Sequence, residues 1–234
     1  MAAIASFHLV RQAPGRLGPA RALTHLGFDR RQLARTPGLR FWRLLGTARG
    51  SDTAPGAELG RTALFALWDD ALDLDVFLAA SPVAAGWARA SEVWSVRLRG
   101  LGGHGRWRGV DVLGEVGEAD PRAHVGPIAV VTRAHVRPSR WHHFQQAGRP
   151  VSDELQGAPG LLAVVGFGEA PVGRQGTFSL WADSTAAERF ARSSPRHVEV
   201  VARTRDERWY AEELFARFAP FGAVGTWDGR NPLG

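Results

Sequence analysis

The feature that most constrains this 234-residue chain is that one stretch occurs in it twice. Arg174-Gln175-Gly176-Thr177-Phe178-Ser179-Leu180-Trp181-Ala182-Asp183, continuing through Phe190 to Ser194-Pro195-Arg196-His197, has an earlier copy in Arg61-Thr62-Ala63-Leu64-Phe65-Ala66-Leu67-Trp68-Asp69-Asp70, then Phe77 and Ser81-Pro82. Arg61/Arg174, Phe65/Phe178, Leu67/Leu180, Trp68/Trp181, Asp70/Asp183, Phe77/Phe190, Ser81/Ser194 and Pro82/Pro195 keep one spacing, the 113 residues between Trp68 and Trp181. Matches that stay in register indicate an internal duplication. Thr177 to Trp181 alternates and is β-branched and aromatic, so it predicts a strand. Asp183 can cap a following helix, and Thr185 with Glu188 has capping-box spacing. Ser194 and Pro195 then repeat the helix-start signal, a hydroxyl cap before a proline that needs no amide hydrogen. This puts His197 in the first turn of a second helix, opposite Ala84 in the earlier copy.

Around the repeat the chain reads in order. Phe7 to Arg11 is a first strand, Arg16 to Arg35 carries a rough helical leucine stripe, and Leu39 to Leu45 is a second strand. A glycine-containing loop over 46–60 precedes the third strand at 61–68, helices near 70–79 and 82–90, and an alternating fourth strand at 93–98. That order, β-α-β-β-α-β, is the ferredoxin-like unit. Gly102-Gly103, Gly105 and the acidic stretch from Asp111 to Asp120 predict a linker. The second unit opens at Ile128, repeats the Thr36-Pro37-Gly38 turn as Ala158-Pro159-Gly160, and places its fourth strand at Trp209 to Phe218. The expected domains are 1–100, a linker at 101–126, and 127–234. The bare apolar sheet face of such a unit must be covered. The expected fold class is therefore α+β: two tandem ferredoxin-like units pairing their sheets as an α/β barrel within one chain.

Composition excludes several chemistries. With no cysteine there are no disulfides, thiolate zinc sites, iron–sulfur clusters or cysteine-ligated haem. A reducing cytoplasm fits, and neither a membrane-length apolar run nor a signal-peptide pattern is visible. The net charge of +6 comes wholly from arginine, scattered without a dense run. That argues against nucleic acid and leaves weak attraction to an anionic bilayer, a peripheral membrane contact, as the more natural use. There is no Gly-x-Gly-x-x-Gly after a strand, no phosphate loop, no Gly-x-Ser-x-Gly elbow and no His-Glu-x-x-His.

Eight histidines remain. His142-His143 point about 100° apart on a helix and form no chelate. His104 and His124 fall in the linker and His25 on the first helix. His135 shares a strand face with Arg133 and Arg137, which either lines a pocket or faces solvent. His197 is distinct, because the positive end of a helix dipole keeps an imidazole neutral, the form a metal binds. A buried histidine satisfied by a backbone group would look the same in sequence. No second ligand stands at chelating spacing, which argues against zinc or non-haem iron but not against haem, which needs one protein ligand.

Arg35-Thr36-Pro37-Gly38-Leu39-Arg40-Phe41-Trp42, the run Thr132-Arg133-Ala134 with Val136-Arg137, Thr177 to Trp181, and His197 followed by Trp209-Tyr210-Ala211-Glu212-Glu213-Leu214-Phe215-Ala216-Arg217-Phe218 resemble the spheroidene monooxygenase family, acyclic carotenoid 2-ketolases of phototrophic bacteria. The likeness covers nearly the whole chain and is most specific from Glu212 to Phe218. It implies a haem-dependent oxygenase that puts oxygen on C2 of a long polyene, with haem b (iron) as cofactor. Wider relatives with tandem ferredoxin-like units hold haem through a histidine on a C-terminal helix, which implies His197 as axial ligand. Arg133, His135, Gln175 and Thr177 would then offer hydrogen bonds to the oxidant, and Phe167, Phe178 and Trp181 would wall the cofactor. With no flavin motif, electrons would come from an external ferredoxin or reductase. Another haem chemistry, such as a peroxidase or aldoxime dehydratase, and a non-enzymatic haem or polyene binder stay open, as does the oligomeric state.

Overall fold

The computed structural model describes residues 2–13, 27–48, 57–116, 120, 123–169 and 173–234. Most of the first predicted helix, His25 included, the loop residues 49–56 and part of the acidic stretch lie outside these.

The N-terminal half supplies β1 (Ile4–Gln12), a helix α1 at residues 27–33, β2 (Leu39–Ala48), β3 (Ala57–Trp68), α2 (Ala71–Ala80), α3 (Pro82–Trp87) and β4 (Ala90–Gly105). A short helix α4 (Val112–Val116) leads to the C-terminal half: β5 (Ile128–Val136), α5 (Trp141–Gln156), β6 (Leu161–Gly168), β7 (Arg174–Trp181), α6 (Ser184–Ser193), α7 (Pro195–Asp206) and β8 (Tyr210–Gly225). The duplicated signals act alike in both halves. Asp70 caps α2 through the amides of Leu72 and Asp73, and Asp183 caps α6 through that of Ala186. Ser81 and Ser194 cap α3 and α7, each with proline in the first turn. Thr185 and Glu188 form no capping box. They lie inside α6, where Glu188 pairs with Arg192 and Arg217.

Eight antiparallel strands close into a barrel in the order β1-β3-β2-β6-β7-β5-β8-β4. The two halves meet along a long β4–β8 seam and a short β2–β6 seam. This corrects the reading of 101–126 as a linker. Gly102, Gly103 and Gly105 belong to β4, just past a bulge after Gly100. A Cβ would lie 2.0 Å from the Phe215 carbonyl oxygen at Gly103 and 2.1 Å from that of Glu213 at Gly105, and both glycines have positive φ. Here glycine marks close backbone approach, not a loop.

Period two decides what fills the barrel. Phe7 and Phe178 stack at 4.0 Å between ring centres, and Phe65, Trp94, Trp107, Phe167, Phe218 and Trp227 pack around them. The lumen is a packed core. Each half closes one mouth with a tight turn after its last strand, Trp107–Val110 and Trp227–Arg230. Glu212 accepts the amides of Arg108 (2.9 Å) and Gly109 (2.7 Å) in one turn, and Glu92 accepts that of Gly229 (2.7 Å) in the other.

Beneath the Trp107 turn lies a buried ion network. Glu169 accepts from Arg133 (2.9 Å), Arg108 (2.7 Å) and the Trp107 indole (3.0 Å), and Arg133 also pairs with Glu212. Burial would push the Glu169 carboxyl up, but Arg133, Arg108 and the indole outweigh it and hold it below the usual range. Its stabilisation is thus present at neutral pH and lost as pH falls through that depressed value. The Arg133 side chain is only 1% exposed, so Glu169→Leu leaves a buried cation short of a partner. We expect a loss of about 3 kcal/mol in urea unfolding. A loss under about 0.5 kcal/mol, the usual range for a surface change, would remove the network from this role.

Candidate functional site

With the lumen filled, the layers between sheet and helices are where the two halves can differ. Phe178 and Leu180 belong to the lumen core and Trp181 to the cluster under the helices, so Gln175, Thr177 and Ser179 share the Trp181 face by alternation. Register sets Thr177 against Thr132 and Gln175 against Ala134. The Thr132 and Thr177 hydroxyls hydrogen-bond to each other at 2.7 Å.

Helix α7 brings His197 to this layer. Residues 197, 200, 201 and 204 form its less exposed stripe. At the far end of α7, Thr204 bonds the half-buried Tyr210, whose hydroxyl burial pushes up to about 12. A short turn joins α7 to β8, so the two run antiparallel. His197 lies seven residues before Thr204, about 10 Å along the helix. That distance is about three strand residues, level with Glu213 and its register partner Ala134, next to Thr132 on the same strand face. Gln145, near the start of α5, lies by the same reasoning over Ala134 and Gln175 at the end of β5. Both glutamine side-chain nitrogens are buried without a hydrogen-bond partner, and Gln175 is 6% exposed overall.

The corner between α6 and α7 fixes the imidazole. Ser194 Oγ accepts the His197 amide (3.2 Å) and donates to Glu154 of α5, which also pairs with Arg196 at 3.2 Å. His197 Nδ1 lies 3.1 Å from the Ala191 carbonyl oxygen, so Nδ1 carries the proton and donates. Nε2 is thereby the acceptor nitrogen, with no hydrogen-bond partner among the described residues. Burial lowers the His197 pKa, against smaller opposing effects of the Ala191 carbonyl and Glu154. Phe190 packs 5.3 Å from the ring and 5.7 Å from Trp181.

The same layer in the N-terminal half is plugged. His8 and Leu64 pair in register where the C-terminal half has Thr132 and Thr177, and Trp87 occupies the repeat position of Val200. His8 bonds the hydroxyls of Ser6 and Ser95 at 2.8 Å each and packs 5.0 Å from Trp87. Three large side chains are replaced by two threonines and a valine.

The structure thus divides the residues that sequence reasoning grouped together. Gln175, Thr177, Trp181 and His197 belong to one layer. Phe167 and Phe178 do not: both face the lumen, with Phe167 stacked on Trp107 and Phe178 on Phe7, so they cannot wall a site shared with His197. Arg133 and His135 also face the lumen side, Arg133 in the Glu169 network and His135 beside Arg174 at its edge, with the sheet between them and His197. His135 is held below its usual pKa by burial, then by Arg174 and Arg133. Thr132 and Gln145 were missed. Period two counted from the register partner of Thr177 gives Thr132, whereas Gln145 carries no local signal.

The chain is 31% identical to spheroidene monooxygenase of Rhodobacter capsulatus over 214 residues, covering 90% of this chain and 88% of that protein. To the enzyme of Rubrivivax gelatinosus it is 36% identical over 196 residues, covering 83% of this chain and 74% of that protein. The chain belongs to the spheroidene monooxygenase family. No protein-family model matches it. Among solved structures it is similar to an aldoxime dehydratase in complex with butyraldoxime, with a TM-score of 0.67, 12% identity and coverage of 99% of this chain and 85% of that one. Another aldoxime dehydratase gives 0.59 at 10% identity, covering 99% and 87%. At such identities these likenesses show the fold of this chain, and nothing about substrate.

Two titrations check the contrast between the layers. Nitrogen-15 NMR should find His197 protonated at Nδ1 alone from pH 7 down through the usual imidazole value near 6.5; ordinary titration at 6.5 would refute the buried tautomer. His8 is lowered to about 3, first by burial and then by Arg97. An imidazole depressed in the folded state stabilises nothing extra above 6.5, and below it each pH unit costs about 1.4 kcal/mol as the unfolded chain takes up the proton. Stability should therefore fall from pH 6.5 towards 3, and His8→Gln should flatten that slope. An unchanged slope would clear His8.

Proposed function

We propose that this chain is a haem-dependent monooxygenase that oxygenates a hydrophobic substrate, most simply a carotenoid such as spheroidene at C2. The observation that carries the reading is His197: an imidazole made neutral by burial, with Nδ1 committed to Ala191 and Nε2 left as acceptor, in a layer that the sister half fills with His8, Leu64 and Trp87. Among the described residues no three His, Asp or Glu come together to hold a metal ion. A single imidazole suffices for haem iron, because the porphyrin supplies the other nitrogens.

The donor set supports the same group. Gln145 and Gln175 present buried amide nitrogens without partners, a costly arrangement unless something in the layer accepts from them. When bound, haem supplies the redox chemistry that activates an oxidant. The chain's own residues do the rest. His197 Nε2 would hold the iron, with Ser194, Glu154 and Ala191 fixing the angle of the ring. Of the two hydroxyl hydrogens on Thr132 and Thr177, one is spent on their mutual bond and the other is free to donate. Gln175 and Gln145 add donors beyond them. Trp181 and Phe190 exclude water from the far end and give an apolar substrate a surface.

Protein produced with haem available should show a Soret band, and His197→Ala should abolish it while leaving the far-ultraviolet dichroism unchanged. A variant that keeps normal haem content removes His197 from the role. Given dioxygen, a reducing system and spheroidene, the parent protein should yield an oxygenated carotenoid by mass spectrometry. Thr177→Val should slow that turnover on the order of a hundredfold with haem content intact.

A further inference from the structure

We propose that the outer surface of α6 and the first turn of α7, carrying Arg189, Arg192 and Arg196, docks an acidic one-electron carrier protein. The inference rests on the reading of His197 as the haem ligand, and the duplication supplies its internal control. At the same repeat positions the N-terminal half has Val76, Ala79 and Val83. Over the whole helix pair, residues 184–206 carry five arginines against three carboxylates, where residues 71–93 carry one arginine against three. The half that carries the histidine also carries the cations.

All three arginines are exposed, Arg192 with 80% of its side chain in solvent. Neighbouring carboxylates pair with two of them, Glu188 at 3.7 Å from Arg192 and Glu154 at 3.2 Å from Arg196, which leaves three cations against two anions. The patch lies over the short way in. Arg196 adjoins His197 in sequence, and Phe190 and Ala191, between Arg189 and Arg192 on α6, are the residues whose ring and carbonyl touch the imidazole. Electron transfer weakens steeply with distance, so a carrier seated here is better placed than one on any face beyond the barrel. The carrier loses one electron for each that enters, and no bond forms or breaks at the docking face.

A basic face steers an acidic protein and fixes its orientation. An anionic bilayer suits it less well. Membrane-binding helices set large apolar side chains beside their cations, whereas the large apolar side chain exposed on α6 or α7 is Val198 alone among the described residues.

The test is calorimetric titration of the haem-loaded protein with an acidic [2Fe–2S] ferredoxin at low and at physiological salt, alongside the rate at which that ferredoxin, reduced, bleaches the oxidised Soret band. Arg189→Glu combined with Arg192→Glu should weaken binding and slow reduction at least about tenfold at low salt, with the difference shrinking as salt screens it. Arg89→Glu, on the opposite helix layer, should change neither. Unchanged binding in the double variant, or equal loss from Arg89→Glu, overturns the proposal. So does a double variant that binds ferredoxin normally but no longer binds vesicles of anionic lipid, which would assign the face to a bilayer. A parent protein without a Soret band would instead sink the haem reading, and the same calorimetric titration of that haem-free protein would then report on the docking face by itself.

Discussion

The rest of the structure depends on the burial of two sheet faces against each other. A four-stranded ferredoxin-like sheet covered by helices on one side exposes an apolar face on the other, and in this chain that face is hidden by the equivalent face of the second copy. The Phe7–Phe178 stack at the barrel centre expresses that constraint, since one ring comes from each half. Closing the barrel also removes the sheet edges, which would otherwise present unpaired amides and carbonyls. Closure demands a long seam between strands more than a hundred residues apart, and the glycines of β4 let the backbones come close enough to make it.

Once the two inner faces are locked together, evolution has little room there. A change on one side must be met by its partner at near-crystalline packing density. The helix-covered layers carry no such mutual obligation, and that is where the copies part. The N-terminal layer keeps a polar knot in which His8 satisfies Ser6 and Ser95 under Trp87. The C-terminal layer trades those side chains for small hydroxyls and leaves two buried amides without partners. Among the described residues of the first layer, no buried polar side-chain atom lacks a hydrogen-bond partner.

Much of this could be read from sequence because it is local. The caps at Asp70, Ser81, Asp183 and Ser194 act within three residues, and period two gives Thr177 to Trp181 as a strand without knowledge of anything else. What could not be read is what depends on distant pairing. Gly103 and Gly105 look like loop residues until Phe215 and Glu213 arrive from across the seam. Phe178 and Trp181 look like one aromatic wall, yet three residues along a strand put them on opposite faces. Arg133 and His135 share a face, as alternation requires, but only the register of β5 on β7 shows that this face turns away from the helices. Gln145 acquires meaning solely from the strand beneath it.

The candidate ligand combines both kinds of information. Ser81 accepts the amide of Ala84 at 3.2 Å, and Ser194 accepts that of His197 at the same 3.2 Å. The corner that orients the first turn of α7 therefore exists in both halves, and a side chain at that position is aimed identically in each whatever its chemistry. The difference between an inert helix start and a fixed, neutral imidazole is alanine against histidine. Across the layer, the register positions of His8 and Leu64 are held in the second half by Thr132 and Thr177. The first substitution without the second would press an imidazole against a filled core, and the second without the first would leave a hole lined by hydroxyls. The two differences meet in one layer, with His197 and the Thr132–Thr177 hydroxyl pair on the same side of the sheet.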